Sequence, residues 1–335
     1  MQSIQIIGTQ RSGSNLLRLM LNQVPEIAAP HPPHILLTFL PLLSGYGPLS
    51  ERENFLLLAQ DICDFVNANP VPWDVGDIEA SSVAAQFANN DLTDLYRAIY
   101  ELYAEWHGAT IWCNKSMANL YYIPELEHKG IKPVYIHLVR DGRDAAVSFR
   151  NAIVGEKHIY HLAHQWKKDQ ETAEKYVMGY APERYILISY EDLIHDAEGT
   201  MRKLLGRLGL HFKSEVLDYY QTEEAKHTAE AGKMWDNVTR PVMTQNSNKF
   251  SSKLSKEDLR IFESIAGDTL EHFGYKPSID MSERISSFSP DEIAEFDALN
   301  QKMKEQSLRT LDPEGTRKRL AQQGIIQAIK ARPAR

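Results

Sequence analysis

Short apolar runs that suit buried strands alternate along this chain with longer stretches in which apolar residues recur at helical spacing. The first run, Ile4 to Gly8, predicts a strand, because Ile4, Ile6 and Ile7 are β-branched and Gly8 ends it. A polar loop, TQRSGSN, separates it from LLRLMLNQV. The density of Leu and Met there predicts a buried helix that stops before Pro25. Further strands are predicted at Thr110 to Cys113, Lys132 to Val139 and Tyr185 to Ser189. Helices are predicted at Arg52 to Val66 and at Leu92 to His107, the latter with Leu92, Leu95, Ile99, Leu102 and Trp106 on its apolar face. Others follow at Ala145 to Asn151, Glu198 to Leu208 and Lys256 to Phe273, the last ending at Gly274. PHPPH at 30–34 is a constrained turn, since proline removes a backbone donor and restricts the residue before it. Asn69 to Asp77 and Gln245 to Ser252 are loops.

Strands alternating with helices imply βαβ units. The expected fold is α/β, a P-loop-like three-layer sandwich with a central, mainly parallel sheet flanked by helices. No internal repeat is present. The character changes after about Pro277: Glu295 to Gln306 is charged and helical, and the tail from Arg317 onward is basic. Residues 1–277 are therefore expected to form the main domain, and 278–335 a helical appendage docked at its periphery.

Composition narrows the function. The chain has 335 residues, 43% hydrophobic, enough for a sizeable core. A net charge of -8 makes general nucleic-acid binding a poor reading. It does not exclude an anionic ligand, because a local pocket can be positive on a negative protein. Two cysteines, Cys63 and Cys113, are too few for a disulfide framework. No stretch is long and apolar enough to cross a membrane, and the N-terminus lacks a signal-peptide pattern, so a cytoplasmic location is expected.

The candidate chemistry begins at the loop. Strand, tight polar loop and helix are the context an anion site needs. GTQRSGSN is not GxxxxGK[ST], however: Ser14 follows Gly13 where a lysine would stand, and the cation sits earlier, at Arg11. Backbone N–H groups of residues 11–15, the Ser12 and Ser14 hydroxyls and the helix N-terminus can hold a phosphate, with Arg11 adding a fork of donors. The missing lysine, and the lack of an acidic partner for Mg²⁺, weaken a kinase or NTPase reading.

Two segments taken together, RSGSN at 11–15 and YIHLVRDGRDAAVSF at 135–149, resemble the PAPS-dependent sulfotransferases, most closely the branch of the tyrosylprotein sulfotransferases and related bacterial enzymes. PAPS is 3′-phosphoadenosine 5′-phosphosulfate. The resemblance spans roughly residues 4 to 277. It implies that the loop, Arg11 to Asn15 including Gly13, binds the 5′-phosphosulfate. It implies that Arg140 and Ser148, eight residues apart, bind the 3′-phosphate. ISYEDL at 188–193 resembles the segment whose tyrosine lies on the adenine, which points to Tyr190. WCNKS at 112–116 resembles a segment whose lysine neutralises the sulfonate, here Lys115. QNSNKFSSKL resembles the segment that closes over the donor, with Asn248 and Lys249 as counterparts and Ser247 as the register alternative.

The implied reaction is in-line transfer of the sulfonate from PAPS to an acceptor hydroxyl or amine, releasing PAP, with no metal required. Positioned cations, Arg11 and Lys115 here, are its main catalytic resource. The tyrosylprotein enzymes place a glutamate base where this chain has PHPPH, with Pro32 at the aligned position. This puts a tyrosine-peptide acceptor in doubt and leaves His31 or His34 as the base, the choice between them open. A small molecule, a lipid or a saccharide is the expected acceptor, and segments 38–90 and 152–180 are expected to line its cleft. A non-catalytic nucleotide-binding relative is the remaining alternative. HPPH lacks a third ligand, and His158, His161 and His164 fit an ordinary helix face better than a metal site.

Overall fold

The computed structural model describes residues 1–85, 90–309 and 313–333, without the side chains of 233 and 313–316. Five strands form one sheet: β1 (Gln2–Ile7), β2 (Ile27–Ala28), β3 (Ile111–Asn114), β4 (Val134–Val139) and β5 (Tyr185–Ser189). Their order is β2-β3-β1-β4-β5, and every pair is parallel. In register, Ile4 of β1 lies between Cys113 of β3 and Val134 of β4. Four of these strands coincide with those expected to within two residues. The fifth, β2, has only two residues, too few to leave a periodic pattern.

Central β1 is buried on both faces, which is why its sequence is nearly continuous in isoleucine. Ile4 and Ile6 pack with Leu17, Leu19 and Met20 of α1 (Ser14–Leu21). Ile7 packs on the opposite layer. The helices, in chain order, continue as α2 (Ile35–Phe39), α3 (Arg52–Asn67), α4 (Ala80–Ala84), α5 (Leu92–Trp106) and α6 (Ile123–His128). Then come α7 (Gly142–Arg150), α8 (Ile159–Tyr180), α9 (Tyr190–His195), α10 (Ala197–Arg207) and α11 (Glu223–Glu230). The last are α12 (Phe250–Lys253), α13 (Lys256–His272), α14 (Pro290–Arg309) and α15 (Pro313–Lys330). Helices α1 and α10 cover one sheet face; α6 and α8 cover the other, with α13 packed on α8. A further apolar cluster joins α2, α3, α4 and α5 beside the β2 edge, taking in Ala28 of β2 and Trp112 of β3. This is the three-layer arrangement expected.

Three details differ from the sequence reading. Helix α8, the longest, occupies most of the 152–180 stretch assigned to the acceptor cleft. It packs its Leu162, Trp166, Ala173 and Val177 into the core instead. Trp106, counted on the apolar face of α5, is 68% exposed at the helix end. Its neighbour Tyr103 takes the inward position. Phe250 to Lys253, read as loop, makes one helical turn.

The segment after residue 277 packs on the rest. Asn300 of α14 accepts from the backbone N–H of Lys157 and His158, and Phe296 stacks on His158 at 4.7 Å. His161 pairs with Asp297 at 3.1 Å, so these histidines face α14. Ile325, Ile326 and Ile329 of α15 join the cluster around α3, and Arg332 clamps the Asp61 carboxylate. Both cysteines are free and buried, and burial pushes each thiol up to about 12. No helix among the described residues is long and apolar enough to cross a membrane.

Candidate functional site

In an open parallel sheet the ligand crevice lies beyond the carboxyl ends of the strands, where the strand order reverses. Here β1 is that point, with β3 on one side and β4 on the other. The residue run leaving each strand supplies a candidate group: Arg11 after β1, His31 and His34 after β2, Lys115 after β3, Arg140 after β4 and Tyr190 after β5. All six line one cavity of about 950 Å³. Five segments spread along the chain from Arg11 to Tyr190 thus converge because parallel strands share a direction.

The loop after β1 is held in an unusual conformation. Arg11 has φ 69°, and Gly13, at φ 83°, precedes the first residue of α1. Gln170 of α8 donates to Thr9 Oγ1 at 3.0 Å and fixes the loop from beneath. A Cβ at Gly13 would sit 2.3 Å from the Tyr190 ring, so only glycine lets ring and loop touch. Gly13→Ala is expected to lower stability by roughly 1–3 kcal/mol through overpacking and to weaken anion binding. Paired urea melts and PAP titrations check this; unchanged melts would show that the ring moves aside freely.

Arg11 donates from Nε to Ser148 Oγ at 3.1 Å and from Nη2 to the Met234 carbonyl at 3.2 Å. Arg140 donates to the Arg11 carbonyl at 2.9 Å and to the Asn246 carbonyl at 3.0 Å. Its guanidinium lies 4.5 Å from the centre of the Tyr190 ring. Two guanidiniums are therefore side by side, held mainly by neutral carbonyls. The Asp144 carboxylate stands 3.8 Å from Arg140 and is itself bonded to the Phe250 N–H. Burial, and then Arg140, bring Arg11 down to about 10. Lys115, 7% exposed, is pushed down to about 7 by burial, Arg18 and Arg11. Such a cluster is costly unless an anion joins it. Buried Arg140 Nε, Ser12 Oγ and Asn15 Oδ1 also lack a partner, the signature of a site shaped for a polar ligand.

The run RDGRD divides in two. Arg140 turns to the loop, whereas Arg143 binds Asp141 at 2.7 Å, Glu263 at 2.7 Å and Ser278 at 2.8 Å, tying α7 to α13. Ser148 follows two turns along α7 and meets Arg11 rather than Arg140. Arg18 of α1, fully buried, is neutralised by Glu224 at 2.6 Å and bonded to Thr228.

His34 has φ 61°, and its Nδ1 lies 3.0 Å from Ser116 Oγ. Burial, with Lys115 adding repulsion, pushes it down to about 3. His31 is buried, and neither ring nitrogen has a partner. Its ring meets Trp235 edge-on at 5.4 Å, and its carbonyl accepts from Asn69 and Trp73. Burial, followed by Lys115, Arg18, His34 and Arg319, pushes it well below the usual histidine range.

In the closing segment the register shifts. Asn246 and Lys249 line the cavity, while Ser247 and Asn248 do not. Asn246 donates to the Tyr190 hydroxyl at 2.6 Å and accepts from Lys249 at 2.5 Å. Asn248 supplies the bend, at φ 56°. Arg11, His34 and Asn248 are the non-glycine residues with positive φ among those described. Strain gathers at functional sites: Arg11 and His34 line this cavity, and Asn248 bends the segment that brings Asn246 and Lys249 to it. Sequence reasoning missed Asn246, which lies within the QNSN segment it singled out, and Met234, Trp235 and Arg319, which reach the cavity from distant segments without any motif. Among the described residues of the segments expected to line the acceptor cleft, Phe65, Asn69, Pro70, Val154 and Gly155 border the cavity.

The fold and the cation-lined crevice mark an α/β protein whose site suits an anionic ligand. The sulfotransferase family model matches residues 3–214, more than half of the chain, and the protein belongs to that family. Solved structures agree on the fold. The sulfotransferase domain from the curacin biosynthetic pathway is similar at 20% identity and TM-score 0.53, over 82% of this chain and 99% of that one. The sulfotransferase domain of the Synechococcus PCC 7002 olefin synthase is similar at 20% identity and TM-score 0.52, over 79% and 94%. None of the curated proteins matches the chain in sequence.

Proposed function

We propose that the protein is a PAPS-dependent sulfotransferase acting on a hydroxyl acceptor, with residues 1–277 as its catalytic body and 278–335 as an arm across the cleft. The observation that carries this reading is the buried cation cluster of Arg11, Arg140 and Lys115, arranged at the strand ends with one carboxylate against it. In this reading the loop from Arg11 to Asn15 takes the 5′ end of the donor. Arg140, Ser148, Asn246 and Lys249 take the 3′-phosphate, and Tyr190 forms the wall beside the base. PAPS, when bound, supplies an activated sulfonate and leaves as PAP.

The chain's own residues then have defined tasks. Lys115 and Arg11 hold positive charge where negative charge accumulates on the leaving group. Ser116 fixes His34: a proton on Nδ1 directed at Ser116 Oγ leaves the Nε2 lone pair to accept the proton of the acceptor hydroxyl. Neutral at any ordinary pH, His34 is ready as a base without first losing a proton. His31, lacking a partner of its own, has no comparable orienting group. We therefore assign the base to His34.

PAP binding tests the donor half. Saturation with PAP at about 100 times its Kd adds about 2.7 kcal/mol of stability. For a chain of this length that corresponds to a rise of about 4 °C in Tm. Calorimetry and thermal melts measure both quantities. Folded protein that binds no PAP would sink the donor assignment. Transfer of label from radioactive PAPS to any acceptor would exclude a binding-only role.

A further inference from the structure

The cavity holds a cation that the donor reading does not use. Arg319 of α15 lines it together with Gln322, Gln323 and Ile326, which stand three, four and seven residues further on. That spacing is one face of a helix, so α15 presents a single stripe to the cleft. The stripe is held in place from both sides. Gln322 donates to the Phe65 carbonyl at 2.9 Å, and Ile325, Ile326 and Ile329 pack into the cluster around α3. Arg332 anchors the end of the helix on Asp61.

Arg319 is half-buried, and among the described residues it makes no ion pair or hydrogen bond. Its recorded contact is with the Trp235 ring, whose centre is 5.8 Å from Cζ. The other arginines that line the cavity have fixed partners: Arg11 has Ser148 and the Met234 carbonyl, and Arg140 has two carbonyls. Trp235 in turn meets His31 at 5.4 Å. Arg319 therefore lies no more than about 11 Å from the His31 ring, the two separations taken end to end. It is also close enough to His31 to disfavour protonation there. Between them the wall is apolar and aromatic, with Phe65, Pro70, Trp235 and Ile326. A guanidinium left free on an apolar wall of the cavity, one indole away from His31, suits a fork-shaped contact with an oxyanion.

We propose that Arg319 is a specificity residue that binds an anionic group of the acceptor, so that the preferred acceptor is a hydroxylated compound with an apolar body and a carboxylate or phosphate. This rests on the sulfotransferase reading for the meaning of the word acceptor, but its binding test does not depend on the donor. Arg319 would fix the far end of the molecule.

The test titrates ω-hydroxyhexanoate, ω-hydroxyoctanoate and ω-hydroxydecanoate against diols of the same lengths, on free and on PAP-saturated protein. Monophosphates of the same diols form a third arm and distinguish carboxylate from phosphate. At least one anionic series is expected to bind about tenfold tighter than its diol, the strength of one charge-assisted contact. Arg319→Gln is expected to erase that preference, and Arg319→Lys to keep part of it. Both variants are expected to retain PAP affinity and Tm, because Arg319 anchors neither the donor loop nor the helix. Equal binding of anion and diol, binding of neither, or a preference that survives in Arg319→Gln overturns the proposal. Failure of PAP to bind leaves the measurement on free protein decisive and overturns the donor assignment alone.

Discussion

Arg140→Gln is expected to reduce PAP affinity by about 100-fold while leaving most of the fold intact. The guanidinium bridges the Arg11 carbonyl and the Asn246 carbonyl, so it joins the β1 loop to the closing segment. Its Nε has no partner, and the Tyr190 ring lies against its face. Glutamine keeps a donor but removes both the charge and the fork. Loss of two charge-assisted contacts at roughly 1.5 kcal/mol each gives about the stated factor. Arg143→Gln, three positions on, is the matched control. That side chain holds Asp141 and Glu263, the latter fully buried. Its loss strands buried carboxylates, at a cost of about 3–5 kcal/mol. Arg143→Gln should therefore lower Tm and leave the PAP affinity of the remaining folded protein near wild type. Calorimetry on both variants decides the matter: PAP affinity in Arg140→Gln equal to wild type would show that the cation cluster is structural.

The contrast within RDGRD shows how much of this site was legible. The resemblance to the sulfotransferase segment marked Arg140, at the end of a strand, and Ser148, on the helix that follows. It did not show that Arg143 turns away, since both arginines immediately precede an aspartate. Strands with β-branched runs, and the helices α3, α5, α10 and α13, were readable to within a few residues from periodicity. Helix α8 was not, although it is the longest. Its inward Leu162, Trp166, Ala173 and Val177 are spread among charged and polar residues, and its buried face also carries Asp169 and Gln170. Gln170 is polar on purpose, in the physical sense that His137 and Thr9 both bond to it. Polar residues recruited to support a site weaken the pattern that would reveal the helix bearing them.

A second limit is contact at a distance. Candidate residues at strand ends were found because their segments resemble sulfotransferase motifs, and parallel topology explains why those strand ends meet. Asn246, Trp235 and Arg319 arrive from segments without strands, and only packing brings them in. For Asn246 a signal existed in QNSN, where three neighbouring positions competed for one role. The bend at Asn248 explains the outcome: a residue with positive φ makes the turn, and the residue two positions earlier meets Tyr190 and Arg140. Arg319 had no signal beyond the basic character of the tail, which reads equally well as a solvated helix.

His34→Asn is expected to lower kcat by about 10²–10⁴, the usual worth of a general base, with PAP affinity unchanged within a few-fold. Asparagine is the appropriate replacement because position 34 has φ 61°, a conformation asparagine tolerates and alanine does not. The pH profile supplies an independent check. His34 must be neutral to accept a proton, so activity is lost only as pH falls through its value of about 3. Lys115 must be protonated to oppose the developing charge, so in the free enzyme activity is lost as pH rises through about 7. The kcat/KM profile for the donor should therefore have no acidic limb in the ordinary histidine range, and should have a descending limb near neutrality. A bound anion beside Lys115 favours its charged form, so the corresponding limb of kcat should move to higher pH. Lys115→Met should abolish that limb and lower the rate at every pH. His31→Asn should leave the rate within about tenfold of wild type if the imidazole fixed by Ser116 is the base. A collapse of kcat in His31→Asn with normal turnover in His34→Asn would transfer the role to His31, and an acidic limb near 6.5 would exclude the buried, neutral histidine from it.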